Sequence, residues 1–377
     1  TLFPYTTLFR SVVIKSIFNV FVLIAIVICF NFIIASSFNQ VEYPLHSRTR
    51  SSEPSPNQQD IRVCEALPYH VNISRVLTHF IDHVPGDAIG QPDCDSYETL
   101  VSITDQVPCE TVADFLKRTI DEHKSDPETY EKKICLLVLQ LLSALNHLHQ
   151  EAVVHRDLKA ENLYILEGEL VVITNFQCAL KQPRGTQPSP FILSQSTSSH
   201  FSGNPEHLPP EITNASKDSE QLNYEDCDTF AAGCLIYEFL HRHNPFAVNP
   251  SLVKQSYDQT DLPPVPFNSR YSRGLGTIAR QLLQRHPQER LSAVEAIEML
   301  QVLLWGPKEL DDESIDSTIG DWLETERAHT VAMIARNQIQ KSCSSDDFLE
   351  TYMKCQFLVD ASVETISHIY QQLDLDQ

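Results

Sequence analysis

The segment Val153-Val154-His155-Arg156-Asp157-Leu158-Lys159-Ala160-Glu161-Asn162-Leu163 constrains this chain more than any other stretch. It sets a carboxylic acid, an amine and a carboxamide (Asp157, Lys159 and Asn162) in one short polar loop between apolar residues. A helix is predicted just before it, from Tyr130 to about His149, because Ile134, Leu137, Leu141, Leu145 and Leu148 recur at i, i+3/i+4 spacing. A polar loop behind such a helix is common by itself. What sets this one apart is a series of further landmarks that follow it in order.

The loop resembles the protein-kinase catalytic loop H-R-D-x-x-x-x-N at every named position. The resemblance implies roles: Asp157 accepts a substrate hydroxyl proton, Lys159 steadies the moving phosphoryl group and Asn162 holds magnesium. Val171-Val172-Ile173-Thr174-Asn175-Phe176-Gln177 stands where a kinase has a strand and then Asp-Phe-Gly, with Asn175 in the aspartate's place. Gly203-Asn204-Pro205 through Pro209-Pro210-Glu211 matches the end of an activation segment, with Pro209 for the usual alanine. Asp228 to Gly233 resembles the start of the central helix of the large lobe, and Arg290 resembles the buried partner of Glu211. These positions imply scaffold. Asp228 would brace the catalytic-loop backbone, and breaking a buried pair such as Glu211–Arg290 costs about 3–5 kcal/mol.

The missing parts decide the expected function. A phosphate cradle needs close backbone approach and positive φ, which glycine supplies without steric cost. Of the ten glycines, only Gly86 and Gly90 precede Gly168, and they form no such loop. Gly274-Leu275-Gly276, a lone G-x-G far downstream, reads as a helix entry. The only lysine before Lys117 is Lys15, in a loose match to the V-A-I-K strand. Asn175 also removes a full negative charge from the magnesium site, and with it the electrostatic stabilisation on which phosphoryl transfer depends. The chain is therefore expected to be catalytically inactive, with Asp157, Lys159 and Asn162 vestigial and Asn175 a degenerate metal position. No ATP, magnesium or other cofactor is expected, and no cofactor-binding or metal-ligating residue is assigned.

Further blocks narrow the resemblance. They are Cys135 to Leu141, Asn175-Phe176, Asn244-Pro245-Phe246, Asp261 to Phe267, Tyr271 to Leu275 and Leu303-Leu304-Trp305-Gly306-Pro307. Together they resemble the PEAK/Pragmin family of pseudokinases, from about residue 98 to the C-terminus. The resemblance implies a scaffold with an occluded nucleotide pocket that dimerises through helices flanking the pseudokinase.

The domain reading follows. Residues 1–36 combine an adapter-like start with an apolar run, Ile17 to Ser36, of roughly the twenty residues that span a bilayer. That run reads as an anchor, a signal peptide or a retained intron. Residues 37–61, rich in Ser, Pro, Gln and Arg without period, read as a linker. Residues 62–308 form the pseudokinase domain, with short strands at Val71 to Ile81 and Leu100 to Ile103. Residues 309–377 form a helical extension in three amphipathic segments. Its apolar residues Trp322, Leu323, Val331, Ile334, Phe348, Val363 and Ile366 are expected at a dimer interface, with packing on the large lobe as the plainer alternative. The fold class is α+β, a protein-kinase-like fold with a degraded small N-lobe, a mainly helical C-lobe and the extension.

Composition limits partners. With 28 basic and 50 acidic side chains the net charge is −22, which opposes nucleic-acid phosphates and anionic bilayers. Ten cysteines without a Cys-x-x-Cys pair read as reduced cytosolic thiols. The expected partners are a second copy or a related pseudokinase and signalling adaptors, in the cytoplasm, with a membrane only if residues 17–36 are genuine. A weakly active kinase using Asp157 and Asn162, and a membrane-anchored signalling protein, are the alternatives. Pro263-x-x-Pro266 reads as part of a structural loop rather than a polyproline ligand. Asn72-Ile73-Ser74 and Asn214-Ala215-Ser216 are glycosylation sequons only in a secreted chain.

Overall fold

The computed structural model describes residues 37–44, 56–85, 96–106, 109–166, 169–181, 191–192, 206–213, 221–222, 225–247, 257, 259–265, 268–308, 315–335 and 345–373. Lys15, the apolar run 17–36 and Asn214 lie outside them. Among the described residues no helix is long and apolar enough to cross a membrane. The chain forms two compact units, one from Ser36 to Ile297 and one that holds Glu298–Gln377.

The first unit opens with β1 (Ser37–Pro44), α1 (Pro56–Ala66), β2 (Val76–Pro85) and β3 (Ser96–Gln106). The strands form an antiparallel sheet in the order β1-β3-β2, with Tyr43 opposite Leu100 and Phe80 opposite Val101. Residues 37–61, expected as a linker, therefore carry a strand and half a helix. Their aperiodic composition hides this, because the partners that order them lie far along the chain. The sequence of β1, Ser-Phe-Asn-Gln-Val-Glu-Tyr-Pro, contains no lysine.

A second small sheet follows. β4 (Cys109–Thr111) leads into α2 (Val112–Arg118), α3 (Ile120–Ser125) and the long α4 (Pro127–Gln150). Next come β5 (Val153–Val154), β6 (Leu163–Leu166), β7 (Leu170–Ile173) and β8 (Leu180–Lys181). β4, β6 and β7 pair antiparallel, and β5 pairs with β8. α4 starts where Asp126 accepts the Thr129 N–H at 3.2 Å and Pro127, which has no N–H to satisfy, takes the first turn. Its predicted stripe, Ile134, Leu137, Leu141, Leu145 and Leu148, is buried. β2 begins five residues later than the expected Val71, because Asn72 and Ile73 bridge to Ile173 of β7 instead.

The rest of the unit pairs β9 (Phe191–Ile192) antiparallel with β10 (Gln221–Leu222) and adds the helices α5 (Pro210–Thr213), α6 (Glu225–His241) and α7 (Arg270–Leu282). Every α6 residue from Cys227 to Leu240 is buried, as expected of a helix enclosed by others on all sides. Gly233 permits this: a Cβ there would sit 2.9 Å from Leu283 Cγ. Glu131 on α4, fully buried, accepts from Asn268 Nδ2, Ser269 Oγ and the Ser272 N–H, so one carboxylate holds the start of α7.

α8 (Ala293–Trp305) runs into the second unit, which contains α9 (Ile315–Ala335), α10 (Ser345–Asp360) and α11 (Val363–Leu373). Phe357 lies between Trp305 and Trp322, with ring centroids 6.0 and 6.5 Å away. Arg327 of α9 donates to the carbonyls of Leu358 and Ala361, both at 2.8 Å, and so caps the end of α10. Ile319, Leu323, Leu358, Ile366 and Leu373 are buried. Leu323 and Ile366 were expected at a dimer interface; burial within one chain leaves them no surface to give, and they serve the unit's own core. Trp322, Val331 and Val363 are partly exposed. The side chains of Ile334 and Phe348 lie outside the described residues.

Candidate functional site

The loop between β5 and β6 gathers the predicted site residues of the first unit. Its backbone is set from below by Asp228, near the start of α6, which accepts the His155 N–H at 2.7 Å and the Arg156 N–H at 2.8 Å. Two donors on one fully buried carboxylate hold the turn in which Arg156 takes a positive φ of 66°. Burial alone would push the Asp228 carboxyl up. The hydrogen bond and charge of His149, with the charge and amide of His155, outweigh it and hold the carboxyl below its ordinary range.

His155 faces the other way. Its Nε2 lies 2.9 Å from the Thr174 carbonyl, and its Nδ1 accepts the Asp157 N–H at 3.3 Å. Its ring meets the buried Phe176 edge-on at 5.0 Å. Thr174 donates both its N–H and its hydroxyl to the Asn162 carbonyl, each at 3.0 Å. These bonds fasten the segment after β7 onto the catalytic-type loop, so Asp157, Lys159, Asn162 and Asn175 converge as the sequence implied.

What they do there is specific. Lys159 Nζ donates to both oxygens of the buried Asp157 carboxylate, at 3.1 and 2.9 Å. Asn162 Nδ2 donates to the Asp157 carbonyl at 2.7 Å and to its carboxylate at 3.0 Å. Two acceptors on its nitrogen fix the orientation of the Asn162 amide, so its Oδ1 must accept. Asn175 Nδ2 supplies that donor at 3.0 Å. The carboxamide nitrogen of Asn175 thus faces the oxygen that would ligate a cation. Turning the amide over would set two carbonyl oxygens against each other. Asn175 Oδ1 is buried without a hydrogen-bond partner among the described residues. Magnesium requires converging oxygens in near-octahedral order. Here one of the two carboxamides presents N–H instead, so these residues do not fit a magnesium ion. Among the described residues, no group of three or more His, Cys, Asp or Glu side chains is arranged to hold a metal.

The predicted scaffold pair is formed. Arg290 Nη1 and Nη2 donate to Glu211 Oε1 at 2.5 Å and Oε2 at 2.7 Å, and the guanidinium lies 5.0 Å over the Phe230 ring. Burial would pull the Arg290 guanidinium down, but the Glu211 carboxylate holds it above its usual value.

Three participants carry no motif. Asp60, in the middle of α1, accepts the Phe176 N–H at 2.7 Å. Gln140 on α4 accepts from Asn72 Nδ2 and the Val171 N–H and donates to the Glu169 carbonyl, which stitches the loop after α1 to β7. His207 pairs with Glu238 at 2.8 Å beside a small cavity bounded by Asp157, Leu208 and Cys227. Isolated polar residues at unmarked positions gave no signal to find them by. The Asn72 sequon is unusable in the fold, since the side chain is buried and bonded to Gln140 and Val171. In the Pro-x-x-Pro stretch, whose Pro266 lies outside the described residues, Tyr237 donates to the Pro263 carbonyl and Val265 is buried against Gly276.

Comparison with known proteins agrees with this geometry. The protein kinase domain pattern matches residues 45–301. The chain is 30% identical over 371 residues to inactive tyrosine-protein kinase PRAG1 of Mus musculus, covering 81% of this chain and 26% of that protein. It is 35% identical over 293 residues to inactive tyrosine-protein kinase PEAK1 of Homo sapiens, covering 73% and 16%. The chain thus spans about a quarter or less of these relatives. A solved structure of pseudokinase PEAK1 superposes with a TM-score of 0.66 at 32% identity, covering 84% of this chain and 78% of that one.

Proposed function

Because this chain belongs to the protein kinase domain family, in the branch of the PRAG1 and PEAK1 pseudokinases, we propose that it is a catalytically inactive scaffold that assembles signalling partners. One observation carries the reading: the Asn175 amide donates to Asn162 Oδ1, so a side-chain N–H faces the oxygen that would ligate a cation. Asp157 is held in the loop by Lys159 and Asn162. ATP and magnesium are not cofactors in this reading. The strand that precedes α1 has no lysine for a nucleotide phosphate.

The partners follow from surface and charge. The partly exposed Trp322, Val331 and Val363 of the helical extension favour a homodimer or a pairing with a related pseudokinase. The acidic charge of −22 disfavours nucleic acid. Free Cys64, Cys135 and Cys234 suit a reducing cytoplasm. A weakly active kinase is the second reading, favoured by the convergence of Asp157, Lys159 and Asn162 on one loop.

Thermal denaturation with millimolar Mg-ATP decides between them, since a ligand of the native state raises the melting temperature with occupancy. The scaffold reading expects no shift and no phosphate transfer. A clear shift that disappears in Asn162→Ala, together with phosphate transfer, would establish the enzyme.

A further inference from the structure

Asn175 holds a left-handed backbone, φ 64° and ψ 69°. Residues other than glycine keep this region only when their surroundings over-determine it, although asparagine tolerates it better than most. Its side-chain bond to Asn162 depends on that backbone: rotation about φ would carry the amide away, and a residue with a Cβ keeps a positive φ only over the narrow left-handed range of ψ.

The two dihedrals have separate anchors. The peptide before Asn175 is fixed by Thr174, whose carbonyl meets His155 Nε2 and whose N–H and hydroxyl both reach the Asn162 carbonyl. The peptide after it is fixed from another element. ψ of Asn175 sets the direction of the Phe176 N–H, and that N–H is captured by Asp60 Oδ1 at 2.7 Å. We propose that Asp60 is a positioning residue that keeps Asn175 closed on Asn162, so that helix α1 holds the metal position shut from outside the loop.

The acceptor is itself firmly placed. Lys181 donates to the Ala66 carbonyl at the C-terminal end of α1, at 2.8 Å. Just beyond, Asn72 and Ser74 bond β7 through the Ile173 N–H and carbonyl. α1 is therefore tied to the same segment on both sides of Asn175. Among the described residues no lysine or arginine forms an ion pair with Asp60. Burial raises its carboxyl above the ordinary range, against the lowering pull of the Phe176 amide and of His155. An acid kept in so desolvated a place, with a backbone N–H as its partner, suits a role in geometry rather than in charge pairing.

The proposal rests on the inactive-scaffold reading, and its test separates the two. Amide hydrogen exchange is followed in the full chain for wild type, Asp60→Leu and Asp60→Asn, with the side-chain amide resonance of Asn175 as a second readout. Asp60→Leu removes the acceptor and is expected to speed exchange at residues 174–178 about tenfold and to shift the Asn175 resonance, with α6 and α7 unchanged. Asp60→Asn keeps a carbonyl acceptor and is expected to stay near wild type. Three results overturn the proposal: unchanged protection at 174–178 in Asp60→Leu, equal loss in Asp60→Asn, or loss spread evenly over α6 and α7. Binding of Mg-ATP to the wild-type chain would instead defeat the scaffold reading, whatever the exchange data show.

Discussion

Asp228 and His155 lie far apart in sequence, yet the Asp228 carboxylate accepts the His155 N–H at 2.7 Å as its neighbouring oxygen accepts that of Arg156. The two bonds brace the loop backbone from a single carboxylate. Asp228→Ala leaves two buried donors unpaired and is expected to destabilise the first unit by about 2–4 kcal/mol, read from denaturant midpoints. Its pH dependence has a definite sign. The folded carboxyl lies below its unfolded value, so its contribution is full above about pH 4 and is lost as pH falls through the folded value. The gap between wild type and Asp228→Asn should therefore close in acid.

Glu211 and Arg290 form a second buried brace. Either Glu211→Ala or Arg290→Ala strands a charge and is expected to cost about 3–5 kcal/mol. The double variant should cost less than the sum of the two, a difference that a double-mutant cycle measures.

Asp60 titrates in the opposite sense. Its folded carboxyl is raised by burial, so the folded state binds more protons than the unfolded chain across the window above about pH 4. The Asp60 contribution falls as pH rises through that window. Asp60→Asn keeps the acceptor and removes the buried charge. It is expected to be at least as stable as wild type at pH 7 and to lose that advantage near pH 4, by thermal melts at both values.

Arg242, at the end of α6, has a φ of 67° and donates to the Leu116 carbonyl, the Thr119 carbonyl and Thr119 Oγ1 while lying 4.8 Å over the Tyr130 ring. Arg242→Ala is expected to destabilise by about 2–3 kcal/mol. Lysine lacks the planar fork and should rescue little of it.

The helical extension gives a prediction about assembly. Light scattering on the chain should show twice the monomer mass at micromolar concentration, and Val331→Asp should reduce it to monomer without loss of helical signal. A monodisperse wild-type monomer would reject the dimer.

Asp157 shows where the sequence and the fold diverge in detail. A vestigial acid suggests a side chain whose loss is harmless. The structure buries it and gives it the Lys159 and Asn162 donors, so Asp157→Ala is expected to cost about 1–2 kcal/mol by denaturant midpoint.

The sequence by itself determined the kinase-like loop, the Asn175 replacement, the Asp228 and Glu211–Arg290 braces and the three-helix order of the extension. The loop, the replacement and the helices depend on residue type at short spacing or on apolar periodicity, both visible along the chain, whereas the braces join distant residues and are implied by the resemblance to protein kinases. Only the tertiary structure decided the rest. β1 and α1 arise from a stretch without periodicity, because β3 and the Phe176 segment supply their partners across long sequence separations. Leu323 and Ile366 belong to the unit's core rather than to its surface, a distinction that amphipathic spacing cannot make, since it marks an apolar face without naming what covers it. Asn175 acts as an internal donor for the same reason: the orientation of a carboxamide depends on which acceptors the fold brings to Asn162, and those are set in space rather than in order along the chain.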